Sequence, residues 1–347
     1  MNDLSSNLGK LGGENPSGGN FDAKTQDIRT LSIKCSDKPI VFLMGPTASG
    51  KTALAIELFQ QGQVEIISVD SAMVYQQMNI GSAKPSDREL VLAPHHLIDF
   101  IDPKNSYSAA NFCQDATALI NKIHACEKIP LLVGGTMLYF KALRDGLADL
   151  PETDVKIRAE IKQQLSEKGV EFLYHELAKV DKKTADRLHI NDSQRITRAL
   201  EVFQMTEKTL SQWHQEQKRL ALPNPLLSIA LAPTDRSILH KRIALRFEKM
   251  LEKGLIEEVT RLYHRGDLNL DCPSMRSVGY RQIWQYLQGE LSLPEAKEKA
   301  IIATRQLAKR QYTWLRSWHD AKWFDPTNSD DLESCRLAIS HFIASNV

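Results

Sequence analysis

Between Pro39 and Gly135 the chain alternates two kinds of apolar pattern. Ile40-Val41-Phe42-Leu43-Met44 is a continuous apolar run, suited to a strand buried on both faces. A glycine loop follows, then a segment in which Leu54, Ile56, Leu58 and Phe59 supply the apolar positions of an amphipathic helix. Val64–Val69 reads as a second strand, Ala109–Ala125 as a helix, and Ile129–Val133 as another strand stopped by Gly134-Gly135. Alternating strands and helices predict a parallel sheet covered on both faces, with ligands at the carboxyl ends of the strands.

The pattern changes near Leu150-Pro151. From there to His214 no strand pattern stands out, and Ile157, Ile161 and Leu165 recur at helical spacing after capping candidates Thr153 and Asp154. Residues 151–214 are therefore expected to form an inserted all-helical domain. Leu226–Leu231 returns to strand character, a long helix starts near Arg236, a last helix runs through Ala303–Trp318, and Lys322-Trp323-Phe324 reads as a closing strand. The expected fold is a P-loop NTPase-like α/β sheet flanked by helices, with a core of 38–150 and 215–325 interrupted by the insertion. Residues 1–37 are rich in Gly, Asn and Ser without periodicity and are expected to be disordered, while 326–347 read as a tail.

Composition narrows the class. At 347 residues, with 42% hydrophobic and 25% charged content, the chain has the make-up of an ordinary globular protein. The formal net charge of +1 neither demands nor excludes a nucleic-acid partner, so only the distribution of charge can speak to one. The five scattered cysteines give neither a disulfide framework nor a Cys-based zinc site, and no apolar run approaches a membrane span. A cytoplasmic, monomeric protein with no membrane contact is expected.

Gly45-Pro46-Thr47-Ala48-Ser49-Gly50-Lys51-Thr52 matches Gly-x4-Gly-Lys-Ser/Thr, between a strand and a helix as that pattern requires. Its amide hydrogens and the helix N-terminus suit phosphate oxygens, Lys51 suits phosphate charge, and the Thr52 hydroxyl suits Mg²⁺. An ordinary glycine turn would leave the Lys-Thr pair unexplained. No Asn/Thr-Lys-x-Asp motif marks a GTPase, and the strand ending in Gly134-Gly135-Thr136 lacks a Walker-B carboxylate. The acidic residue is Asp70, at the end of the second strand. It can cap the following turn with Ser71, or, in a resemblance to small-molecule P-loop kinases, face the group that attacks phosphorus. The ligand-binding edge of the sheet favours the second role.

Asp70–Pro85, following that loop, closely resembles the tRNA dimethylallyltransferases (tRNA isopentenyltransferases) of bacterial type. The resemblance continues collinearly through His95–Asp99, Val133–Tyr139, Asn191–Glu201, Arg276–Arg281 and Ala303–Gln311. It implies transfer of a dimethylallyl group from dimethylallyl diphosphate to N6 of adenosine 37 of tRNA, 3′ to the anticodon, with Mg²⁺. On that reading the loop and Lys51 bind the diphosphate, Asp70 takes the proton of the adenine amine, and Thr136 and Arg158 contact tRNA. Ser71, Ala72 and Met73 beside Asp70, the run Gln194-Arg195-Ile196-Thr197-Arg198, and Arg276-Ser277-Val278-Gly279-Tyr280-Arg281 fall in the same implied tRNA surface. The target base must leave its stack to reach a buried donor.

Other residues keep two readings. Arg242 and Arg246, four apart on one helix, either face a diphosphate together or form a solvated face paired with Glu248 or Glu252. Arg305, Gln306, Lys309 and Arg310 form either a stripe for the anticodon stem or a solvated face, and the resemblance tips this to tRNA. His95 and His96, adjacent on an extended segment, point to opposite faces and read as structural. Asn79 and Ser82 stand where the resembled family usually has Asp and Thr, and Glu207 where it usually has Gly, which puts a water-mediated metal contact and a turn in doubt. The runner-up is a P-loop kinase of a nucleotide or small metabolite, which leaves Arg276–Arg281 and Ala303–Gln311 unexplained.

Overall fold

In a computed structural model the described residues are 37–147, 150–151, 154–216 and 222–346. The expectations for residues 1–36 and for Thr153 as a cap lie outside them. Five strands alternate with helices in the order β1 (Ile40–Met44), α1 (Lys51–Gln60), β2 (Val64–Val69), α2 (Asp87–Leu92), β3 (His95–His96), α3 (Ala109–Ala125), β4 (Ile129–Gly134), α4 (Met137–Asp145), and later β5 (Leu226–Leu231). With β6 (Lys322–Phe324) they form one parallel sheet in the order β3-β2-β4-β1-β5-β6.

The continuous apolar runs are explained by the two faces. Ile40, Phe42 and Met44 of β1 pack under α3 and α4 with Phe112, Phe140 and Trp318. Val41 and Leu43, one residue out of phase, pack on the other face with Leu54 and Leu58 of α1. Every residue of β1 is buried for that reason.

Between α4 and β5 lie α5 (Val155–Val180), α6 (Lys182–Ala185), α7 (Ser193–Thr206) and α8 (Leu210–Glu216). Asp154 caps α5 by accepting from the amides of Lys156 and Ile157, and Gly169 breaks that helix at φ 80°. These helices bury a core of their own, built on Ile161, Leu173, Leu177, Ile196 and Leu200.

The remaining helices are α9 (Arg236–Glu252), α10 (Leu255–Tyr263), α11 (Tyr280–Leu287), α12 (Leu293–Arg316) and α13 (Ser329–Ala344). Two expectations are corrected. The helix read from Ala303 starts at Leu293, because Ser292 and Glu295 form a capping box with a proline in the first turn. The segment read as a tail contains α13, which buries Cys335, Ile339 and Ile343 against the α1 face of the sheet. Arg336 fixes it there through two hydrogen bonds to the Glu57 carboxylate of α1, 2.6 and 3.0 Å. The four described cysteines are free thiols, and among the described residues no helix is long and apolar enough to cross a membrane.

Candidate active site

The site grows from the carboxyl ends of β1, β2 and β4. Gly45 leaves β1 where an added Cβ would lie 2.3 Å from the Leu231 carbonyl oxygen, so close approach demands glycine. Gly50 has open space but φ 100°, so backbone conformation demands it. Ala48 also holds a left-handed φ of 63°, strain that a functional loop can store. α1 starts directly at Lys51, so the loop amides and the helix N-terminus converge on one space. The Lys51 ammonium donates to the Pro46 carbonyl at 2.7 Å. Burial, then the neighbouring Arg246, pushes the Lys51 pKa down to about 7, with Asp70 opposing. A bound diphosphate would add counter-charge for Lys51 and Arg246 beyond the single Asp70 carboxylate.

Asp70 follows β2. Its Oδ1 accepts from the amides of Ala72 (2.8 Å) and Met73 (3.2 Å), so one oxygen holds the turn, and the capping and chemical readings coexist. Thr136, at the start of α4, accepts from the Ser71 amide at 3.1 Å, while its own amide donates to the Val69 carbonyl. Thr136 therefore clamps the two strand ends together. Arg246 approaches from α9, 3.5 Å from the Thr47 hydroxyl, and its own pKa is lowered by burial and partly restored by Asp70. Glu248 bonds Lys297 instead of Arg242 or Arg246, which favours the ligand-facing reading of that pair.

Two cavities meet here. One, of about 730 Å³, takes in the loop from Thr47 to Thr52, with Lys84, His95, Arg242 and Arg336 on its walls. The other, of about 560 Å³, takes in Ser71, Ala72, Thr136, Leu138, Arg276–Gly279 and Arg310. Thr47, Asp70, Ser82, Ala83, Gly135, Arg246 and Gln311 line both and form the neck between them. Gln311 is the functional candidate that sequence reading missed. From α12 its Oε1 accepts from the Thr47 amide (2.9 Å) and its Nε2 donates to the Gly135 carbonyl (2.9 Å), tying the phosphate loop to the β4–α4 turn. Its signal was only its place at the end of the Ala303–Gln311 segment.

Several expected tRNA residues turn inward. Ile196 is buried in the helical core and Tyr280 is fully buried, so neither side chain can touch RNA. Arg158 and Arg198 both ion-pair the buried Glu201, at 3.0 and 3.3 Å. Gln194, Arg195 and Arg281 are exposed, with Arg195 paired to Asp192. Thr197 donates to the Gln194 carbonyl, capping its own helix turn. The basic stripe is two groups. Arg310 faces the second cavity, while Arg305, Gln306 and Lys309 line a separate groove with Arg236 and His240. On an α-helix, residues 305 and 310 are about 140° apart, so one face cannot carry both.

The remaining readings resolve simply. His95 donates from Nδ1 to the Ala93 carbonyl, whereas His96 meets Glu65, on opposite sides as expected. Asn79 Oδ1 accepts from Lys84, which also donates to the Tyr75 carbonyl and Asp99. The amide thus takes part in a structural bond there. Glu207 holds the turn itself, at φ 55°. Among the described residues no cluster of three or more His, Cys, Asp or Glu could hold a metal. Thr52, Ser68 and Asp70 line the loop cavity and present oxygen ligands, a set suited to Mg²⁺ that takes its other ligands from phosphate and water.

Sheet, loop and helix α1 define the class, a P-loop α/β protein. The chain belongs to the IPP transferase family, whose model matches residues 73–318; a second model, isopentenyl transferase, matches 39–100. It is similar to the full-length tRNA isopentenylpyrophosphate transferase of Bacillus halodurans, at 36% identity and a TM-score of 0.65, over 90% of this chain and 98% of that one. The tRNA Δ(2)-isopentenylpyrophosphate transferase of Staphylococcus epidermidis is 32% identical with a TM-score of 0.61, over 88% and 99%. A eukaryotic dimethylallyltransferase solved acting on tRNA is 28% identical with a TM-score of 0.76, over 89% and 80%.

Proposed function

We propose that this protein transfers the dimethylallyl group of dimethylallyl diphosphate to N6 of adenosine 37 in tRNA and releases diphosphate. The observation that carries the reading is the position of Asp70 in the neck between the phosphate-loop cavity and the second cavity. A donor held by the loop and a base entering from the other side would meet at that carboxylate.

In the reaction the C1–O bond of the donor breaks and its electron pair leaves on the diphosphate. Lys51, Arg246 and the loop amides are placed to meet that growing charge. The N6 lone pair forms the new N–C1 bond, and Asp70 accepts the proton that N6 loses. Thr136 and Gln311 hold Asp70's turn and the loop in register. Mg²⁺, held by Thr52 and phosphate oxygens, would supply further charge neutralisation at the leaving group. Arg276 and Arg310 line the second cavity and would contact the anticodon loop, and the helices α5–α8 would hold the same RNA from outside the core.

The test is incubation with labelled dimethylallyl diphosphate and bulk tRNA, in parallel with labelled ATP and small hydroxyl-bearing metabolites. Label in adenosine 37 supports the reading. Phosphorylated metabolite with unlabelled tRNA would replace it with a P-loop kinase.

A further inference from the structure

Glu258 on α10 is 2% exposed and among the described residues has no ion pair. Its charge is met by hydrogen bonds alone. Oε2 accepts from the amides of Asn79 (3.0 Å) and Ile80 (2.8 Å), and Oε1 from those of Ile80 (3.1 Å) and Gly81 (3.1 Å). The Tyr280 hydroxyl donates to Oε1 at 2.6 Å and accepts from the Ser82 amide at 3.2 Å. Three successive amides around one carboxylate form an anion nest made by the loop itself. Burying a carboxylate without a cation is costly, so the arrangement must order something in return.

What it orders is one wall of the neck. Gly81 is pressed so closely on Tyr280 that an added Cβ would lie 2.6 Å from the ring. The next residues, Ser82 and Ala83, line both cavities, one of which also holds the phosphate loop. Ala83 is held at φ 55°, a conformation that persists only where its surroundings impose it. We propose that Glu258, with Tyr280 as its relay, is a positioning residue for transfer: it fixes the Asn79–Ala83 loop so that the acceptor base meets the donor carbon in line at Asp70. This rests on the prenyl-transfer reading above.

A carboxamide cannot replace the carboxylate here, because its NH₂ would face amide hydrogens whichever way it turned. Glu258→Gln should therefore shift the loop, and a displacement near 1 Å in such a site can cost about 10²-fold in rate. The phosphate loop shares no hydrogen bond with this network, so donor binding should survive. Single-turnover transfer by Glu258→Gln should fall about 10- to 100-fold, with the donor KM within about threefold of wild type. Tyr280→Phe, which removes only the hydroxyl, should fall less and keep its melting temperature within a few degrees. Rates are normalised to folded protein by circular dichroism. Absence of transfer by the wild type would remove the functional reading itself. Given an active wild type, normal transfer by folded Glu258→Gln overturns the proposal. If Glu258→Gln does not fold, normal transfer by Tyr280→Phe overturns it. A donor KM that rises in step with the lost rate overturns it as well, since the loop would then belong to the donor site.

Discussion

The two sides of Asp70 are built differently. On the donor side one continuous segment, Gly45–Thr52, supplies loop, lysine and hydroxyl, set by the end of one strand and the start of one helix. On the other side, residues from α4, α9, α12 and the 273–279 segment converge from distant parts of the chain. A compact ligand of fixed charge can be met by a local motif, whereas a folded RNA needs contacts spread over tens of ångströms. Sequence reading is accordingly strong on the first side and weak on the second.

Asp70 joins the two sides, so its loss should have the largest effect. Asp70→Asn keeps the Oδ1 acceptor that holds the Ala72 and Met73 amides but cannot take a proton. Turnover should fall about 10²–10⁴-fold while donor and tRNA affinities stay within a few-fold. Single-turnover rates across a Mg²⁺ series check the role. Rescue by added Mg²⁺, with weaker donor binding, would make Asp70 a metal ligand instead of the base.

Lys51 tests whether the donor side is separable. Lys51→Ala should lower kcat/KM for the donor by about 10²-fold and leave tRNA affinity unchanged in a direct titration. The lysine also predicts a pH dependence. Its pKa in the ligand-free protein is pushed down to about 7, first by burial and then by Arg246. Below that pH it is already charged; above it, diphosphate binding must draw a proton onto it. Donor affinity should therefore weaken as pH rises above about 7, by at most tenfold per unit. Calorimetry in buffers of different ionisation enthalpy should show proton uptake at pH 8, absent from Lys51→Ala. A flat affinity from pH 7 to 9 would mean that Lys51 stays charged without its ligand.

Arg310 and Arg305 divide the RNA side. Arg310→Gln removes a cation from the cavity that Asp70 shares, so it should lower kcat/KM for tRNA several-fold. Paired Arg305→Gln and Lys309→Gln lie in the separate groove and should act only on affinity, reducing the salt slope by roughly one unit per lost phosphate contact. Equal effects of the two changes on turnover would merge the groove with the site.

Five of the six strands were legible almost to the residue, because a parallel strand buried on both faces has to be apolar throughout, as β1 and β4 are. The exception, β3, is two histidines with no apolar run and was read only as an extended segment. The phosphate loop was legible because its chemistry is contiguous. α13 was not, since its fully buried stripe is only Cys335, Ile339 and Ile343, while Leu332 and Phe342 are partly buried and Leu337 lies exposed, so its apolar residues mark no single face. The buried Glu258 carried no signal at all, because a glutamate on an amphipathic helix reads as solvent-facing until its neighbours are placed. Arg305 and Arg310 were read as one stripe for the same reason: spacing gives the angle, but only packing says which angle faces the substrate.

The smallest expected effect compares two left-handed residues, one on each side. Ala48 sits at φ 63° in the phosphate loop, and Glu207 at φ 55° where α7 ends, exposed and accepting no contact that its side chain must keep. The Glu207 amide still closes the helix on the Phe203 carbonyl at 2.8 Å. A residue with a Cβ is strained there by about 1–2 kcal/mol, and glycine is relieved of that strain. Against it stands the greater freedom glycine gains in the unfolded chain, about 0.4–1 kcal/mol. Comparing Glu207→Gly with Glu207→Ala removes the side chain in both and leaves only the backbone term. The Gly variant should be the more stable by up to about 1 kcal/mol in urea melts, the reverse of the order inside an ordinary helix, where Ala wins by about as much. Donor KM should be the same in both, because the turn lies in the inserted helices and not at the loop. An Ala variant as stable as the Gly variant would mean that the turn after α7 is not left-handed in solution.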